Sequence, residues 1–438
     1  MPTWDELLSA KRLRRPDPRG SDSGRVADAR SSSTRSPFQQ DADLVVFSAA
    51  FRRLSDKTQV QPLAESGRVR SRLTHSIEVA SVGRSLGSAV AHALRDRRAL
   101  DAEQCHAIAH VVHAACLAHD IGNPPFGHGG EDAIQAWFRA HPQHTAQLDE
   151  SQRADLLGFD GNAQGFRTLT QLENYRFDGG LRLTHATLAA MMKYAGTAHE
   201  RDVRVLARKK PGYFSAEQSY VDELRASLQL PAGVRHPLVY LTEAADDICY
   251  AIVDLEDGFG AGLLDYHDAV EVLELLAGQS ADDTLERGER LQKLRGVAIG
   301  RLVDEVSEAF LALEPALLRN EPAPELCAET SLGTALAQAK TLARERIYRA
   351  PAVVERLLGG QVVLGSLLDT FAPVVDALAE HAFDRRALHG RNASIAHLFG
   401  PSFAPRDRYA ALLGVTDFLS GLTDHAALAL HRRLTGVA

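Results

Sequence analysis

The sequence predicts an all-α protein, and three observations predict it. Small and apolar residues recur at three- and four-residue spacing from about residue 41 to the C-terminus. Alternating strand patterns are scarce. Prolines and glycines gather between the periodic segments and mark their ends. The 438 residues suffice for one large or two ordinary domains. The expected organisation is an irregular N-terminal arm over 1–40, a helical core over 41–278, and a helical C-terminal region over 279–438 packed on that core.

In chain order, "RLRRPDPRGSDSGRVADARSSSTRSP" is rich in Arg, Ser, Asp and Pro and reads as a solvated arm. A sharper reading has it pack on a neighbouring subunit or help bind phosphate. "HSIEVASVGRSLGSAVAHAL" and "AEQCHAIAHVVHAACLAHD" are periodic helices, as are "PLVYLTEAADDICYAIVDLEDG", "GVAIGRLVDEVSEAFLAL", "LGSLLDTFAPVVDALAEHAF" and "RYAALLGVTDFLSGLTDHAALALHRRL". "VRVLARKKPGYF" reads as a small hairpin or a loop, and the stretches 278–285 and 320–333 as loops.

A net charge of −8 excludes a whole-chain basic field for nucleic acid, so an anionic substrate has to meet a local basic pocket. Single-stranded nucleic acid is not indicated. Cys105, Cys116, Cys249 and Cys327 show no C-x-x-C spacing, and three lie in apolar helical patterns, which suits core residues in a reducing compartment. No apolar run approaches a membrane span, and the N-terminus lacks a signal-peptide core. The expected location is the cytoplasm.

"HDIGNPPFGHGGED" (119–132) interrupts this pattern. It follows an apolar helix, and its prolines and glycines stop that helix. His119 and Asp120 then sit at the helix end, where both reach one ion. His75 in "RLTHSIEVA" and Asp246 in "EAADDICY" are the partners on other helices. Two imidazoles and two carboxylates suit a six-coordinate divalent ion: Mn²⁺ or Mg²⁺, with Fe, Co or Ni also compatible. His106, His110 and His113 read as packing or surface residues. His128 and Glu131, at i and i+3, share a face if a helix starts after "PPFG", and the carboxylate can then fix the imidazole.

The order H…HD…D resembles the HD-domain phosphohydrolases. The strings "FRRLSDKTQVQPL", "AHDIGNPPFGHGGEDAI", "FDGNAQGFRTLT", "LTEAADDICYAIVDLEDG" and "DFLSGLTDHAALALHRRL" further resemble the bacterial dGTPase-like deoxynucleoside triphosphate triphosphohydrolases, from about residue 38 to the C-terminus. The chain departs from the family at Asp160, where "FEGNAQ" is common, and at Ala195, where Pro often follows the Lys-Tyr pair. Segment 200–235 is the least family-like.

The resemblance implies an HD-domain helical core that cleaves a dNTP to deoxynucleoside and inorganic triphosphate. It implies His128–Glu131 as the catalytic pair and Arg72 on the α-phosphate. Asp246, Tyr250 and Asp254 line one helix face at i, i+4, i+8. The resemblance gives Tyr250 the deoxyribose, crowding a 2′-hydroxyl, and Asp254 the 3′-hydroxyl. Gln59 is a second candidate for that hydroxyl. Asn162 and Gln164 are candidates for holding the pair or the phosphates, and Lys193, Arg52, Arg53 and Lys57 are further basic candidates. A homo-oligomer and a nucleotide effector fit the same resemblance. An HD phosphodiesterase and a non-catalytic nucleotide-sensing or single-strand-binding protein are the competing readings.

Overall fold

The computed structural model describes residues 1–13, 35–59, 70–97, 100–176 and 179–437. Helices dominate, and among the described residues the only β pairings are the isolated bridges Arg12–Thr184 and Thr58–Ser71. The fold is all-α, with a helical core and a helical C-terminal extension, as the periodicity predicts. The Arg and Ser-rich stretch 14–34, read above as a solvated arm, lies outside the described residues.

The buried apolar residues form two large cores. The first is built on the His75 helix (Arg72–Asp96) and the His119 helix (Ala102–Ala118), which make the most extensive helix pair in the molecule. Small residues allow their close approach: a Cβ on Gly83 would lie 2.4 Å from Cys116 Sγ. Asp101 starts the second helix with a capping box to Gln104, a device that stabilises a helix end by about 1 kcal/mol. The Asp246 helix (Val239–Gly260) packs across both, and Arg287–Leu318 covers it from the far side. Leu86, Ile108, Val112, Ile252 and Phe310 are wholly buried here.

The second core stands on the His128 helix (His128–Ala140) and is completed by Pro351–Phe371, Arg408–Ser420 and Asp424–Thr435. Phe138, Phe159, Phe214 and Phe371 fill it. Burying an aromatic of this kind is worth about 3–5 kcal/mol against alanine. The C-terminal region is therefore divided: 287–342 joins the first core, and 351–435 joins the second.

Three expectations change in detail. Residues 1–13 are not irregular throughout: Trp4–Leu7 is a capped helical turn, Trp4, Leu7 and Leu13 are buried, and the Trp4 indole donates to Glu314 at 2.9 Å. Residues 203–214, read as a hairpin or a loop, narrow to the loop, with a short 3₁₀ turn at Leu206–Arg208. The stretch Pro351–Glu380 is long and apolar enough to cross a membrane by length and composition, contrary to the reading of the sequence, because its interrupting polar residues are few. In the fold its first helix packs on the His128 helix and buries Val363, Leu364, Leu367, Leu368 and Phe371. All four cysteines are free and buried.

Candidate active site

Both cores contribute walls to one cavity of about 590 Å³, within the range of small-molecule sites. The wall from the first core carries the metal-ligand candidates. His75 Nε2 lies 3.1 Å from Asp246 Oδ1, and His119 Nε2 lies 3.7 Å from the same oxygen. One ligand atom from each of His75, His119 and Asp246 falls within 4.8 Å of the others. His119 Nδ1 faces the Cys116 carbonyl at 2.7 Å, so Nδ1 carries the proton and Nε2 presents a lone pair to the cluster.

Asp120 stands beside this group, with Oδ1 3.9 Å from His119 Nε2. That oxygen accepts from Arg72 at 2.8 Å and from the Asn123 amide at 2.6 Å. His119 Nε2 and Asp120 Oδ2 are both buried without a hydrogen-bond partner. Buried polar atoms are rarely left so. Two orphan lone pairs next to an imidazole and a carboxylate fit a divalent cation. Burial opposes ionisation of Asp120, but the Arg72 guanidinium and the two imidazoles outweigh it and hold the carboxyl below its ordinary range.

The wall from the second core carries His128 and Glu131. Pro124 and Pro125 end the metal loop, Phe126 and Gly127 take positive φ of 64° and 56°, and His128 opens the next helix. The imidazole Nδ1 is 2.9 Å from Glu131 Oε2, and the His128 side chain is 80% exposed into the opening. Glu131 is buried, and its other oxygen accepts from the Gly161 amide at 2.7 Å. The "GNAQG" string is explained by contact: Gly122 has φ +107°, and a Cβ there would lie 2.1 Å from Gly165 N. Only glycines let the metal loop and this helix touch backbone to backbone.

Lys210 was missed in the sequence. Its Nζ lies 2.9 Å from Asp160 Oδ2 and 3.7 Å from Glu131 Oε2, on the cavity wall. Burial and then the Glu131 charge push the Asp160 carboxyl up, while Lys210 opposes them. Burial likewise works against ionised Glu131, but His128, Lys210 and the Gly161 amide bring its carboxyl below the ordinary value. The only available signal was a basic "RKK" run in a segment with no periodicity.

Arg72, Gln59, Asn162, Lys193 and Tyr250 also line the cavity. Lys193 is 3.7 Å from Glu243, the amide of Asn162 donates to Asp160 at 2.7 Å, and Gln59 Oε1 is buried without a partner. Gln164 and Asp254 are not brought to the cavity. Gln164 donates to Asp417 at 2.9 Å behind the metal loop. Asp254 is buried under Tyr348, whose hydroxyl donates to it. Tyr348 stacks nearly parallel on Tyr250 at 5.7 Å and, after Lys210, is the second cavity residue that the sequence did not reveal. Burial pushes the Asp254 carboxyl up to about 7, against the lowering effect of the Tyr348 hydroxyl. Among the other basic candidates, Arg53 approaches Glu173 at 3.5 Å, and Lys57 is buried outside this cavity.

The HD domain family model matches residues 72–158, the span that holds His75, His119, Asp120, His128 and Glu131. A deoxyguanosinetriphosphate triphosphohydrolase-like protein of Pseudomonas aeruginosa is 39% identical, over 99% of this chain and 98% of its own. The chain belongs to this dGTP triphosphohydrolase-like family of HD-domain proteins. A like-named protein of Synechocystis is 38% identical over 99% of each chain. The deoxyguanosinetriphosphate triphosphohydrolase of Yersinia pestis is 32% identical over 91% of this chain and 93% of its own. Membership makes the chain a nucleotide phosphohydrolase of a class that binds divalent metal.

Proposed function

We propose that the chain hydrolyses a deoxynucleoside triphosphate, dGTP or a close analogue, to the deoxynucleoside and inorganic triphosphate. The observation that carries the reading is the pairing of an exposed, carboxylate-held imidazole with a His–His–Asp cluster across one nucleotide-sized cavity. His75, His119, Asp120 and Asp246 are the proposed ligands of one divalent ion, Mn²⁺ or Mg²⁺. When bound, such an ion polarises a phosphate oxygen and orients water.

The protein supplies the remainder. Glu131 holds the proton on His128 Nδ1, which leaves Nε2 free to exchange a proton with the attacking water or the leaving oxygen. Arg72, Lys193 and Lys210 line the cavity and offset the charge of the triphosphate. Tyr250 packs against the sugar and crowds a 2′-hydroxyl, and Tyr348 extends that aromatic surface. Asp254 acts on the 3′-hydroxyl only through Tyr348. Gln59 and Asn162 are available to the sugar and the phosphates, while Gln164 ties its helix to Asp417 behind them.

The domain division at residues 40 and 278, a homo-oligomer, a nucleotide effector and a cytoplasmic setting belong to the same proposal. The test is an assay of released products from dGTP with Mn²⁺. Triphosphate and deoxyguanosine are expected. Release of monophosphate and pyrophosphate would replace this reading with another HD phosphohydrolase chemistry. Absence of any product across dNTPs and metals would leave a nucleotide-sensing protein.

A further inference from the structure

Residues 57–58 of "FRRLSDKTQVQPL" and residues 420–424 of "DFLSGLTDHAALALHRRL" lie far apart in the sequence, yet they meet behind the loop that leads into His128. Asp424, the first residue of the last helix, is 1% exposed. Its Oδ1 accepts from the Phe126 amide at 2.9 Å. Its Oδ2 accepts from the Thr58 amide at 3.1 Å and from the Thr58 hydroxyl at 2.6 Å. Beside it, the buried Lys57 ammonium donates to the carbonyls of Asn123 and Ser420, each at 2.6 Å. One carboxylate and one ammonium thus tie together residues 57–58, 123–126 and 420–424.

The loop they hold is strained. A left-handed φ of 64° is a genuine outlier for a residue as bulky as phenylalanine, and Gly127 follows it at 56°. Such a conformation persists only where its surroundings impose it. The Phe126 ring is fixed against Gly360, where an added Cβ would fall 2.4 Å from its Cγ. The Phe126 amide is fixed by Asp424. Two residues further on, His128 takes its direction from this backbone.

We propose that Asp424, supported by Lys57, is a positioning residue for the His128–Glu131 pair: a latch from the C-terminal helix that sets the left-handed turn and so aims His128 at the metal side of the cavity. The proposal rests on the reading of His128 as the acid–base group.

A double-mutant cycle tests it. Asp424→Ala, His128→Ala and the double variant are compared for kcat, KM and bound metal with dGTP. Asp424→Ala is expected to lower kcat about tenfold or more, with KM and metal content near wild type. The double variant should match His128→Ala within about twofold, because no imidazole remains to be misplaced. A loss in the double variant equal to the product of the two single losses, or wild-type kcat in Asp424→Ala, would overturn the latch.

Asp424→Asn runs the same cycle if the alanine variant does not fold, with circular dichroism confirming the helices. It keeps an acceptor for Phe126 but turns an amide donor toward Thr58, so a smaller loss of the same non-additive kind is expected. Wild-type kcat in His128→Ala would remove the acid–base reading itself and the latch with it. That outcome is distinct from a failed cycle in which His128→Ala is impaired.

Discussion

The two walls of the cavity hold their charges in different ways. The metal wall stands on three helices that pack directly on one another in the first core: His75 and Asp246 come from within long helices, and His119 and Asp120 from the end of the third. The His128 wall stands on the second core and is joined to the first by a short loop with two consecutive positive φ values. The metal wall leaves lone pairs unsatisfied at His119 Nε2 and Asp120 Oδ2. On the other wall both Glu131 oxygens are engaged, one by His128 and one by the Gly161 amide, with Lys210 beyond. On the proposed reading the ion site is assembled directly by packed core helices, whereas the aim of the imidazole depends on a loop held from the C-terminal helix.

Two perturbations sharpen that contrast, the larger first. Lys210→Met removes the cation shared by Asp160 and Glu131, and two neighbouring buried carboxylates then resist simultaneous ionisation. Both carboxyls move up, so the acidic limb of the pH–rate profile should move to higher pH. Turnover at neutral pH should fall about tenfold, the scale of losing an outer partner of a working group, with metal content unchanged. Lys210→Arg should restore most of it. An unmoved acidic limb in Lys210→Met would show that the lysine does not act through this pair.

The smaller effect concerns Asp254, whose carboxyl is held up at about 7 by burial. Between its ordinary value and about 7 the folded protein keeps a proton that the unfolded chain releases, so this group's contribution to stability is lost as pH rises through that window. Thermal melting at pH 5 and pH 8 should therefore show a smaller decline for Asp254→Asn than for wild type. Equal declines would mean that burial does not hold the carboxyl up as described.

Much of the metal wall was legible in the sequence because helix periodicity and the H…HD…D order both report local structure. His75, His119 and Asp246 each sit in a periodic segment, and the prolines and glycines after Asp120 announce the turn. The other features lay in non-local contacts. Lys210 belongs to a loop without period, and its partners are 50 and 79 positions away in sequence. Tyr348 ends a π-helical turn and reaches Asp254, 94 residues earlier. Spacing alone placed Asp254 on the Tyr250 face, but it could not show that another tyrosine covers it. The split of the C-terminal region between two cores was hidden for the same reason: Arg287–Leu318 in one core and Asp424–Thr435 in the other are both amphipathic, and periodicity does not name the partner.

The central claim is that ion binding and proton transfer reside on separate walls, and one paired measurement tests it most directly. Bound metal by elemental analysis and kcat for dGTP are measured together in Asp246→Asn and His128→Gln. The account predicts that Asp246→Asn loses both metal and turnover, while His128→Gln keeps its metal and loses turnover on the order of 10²-fold or more. Full metal occupancy in Asp246→Asn, or wild-type turnover in His128→Gln, would contradict it.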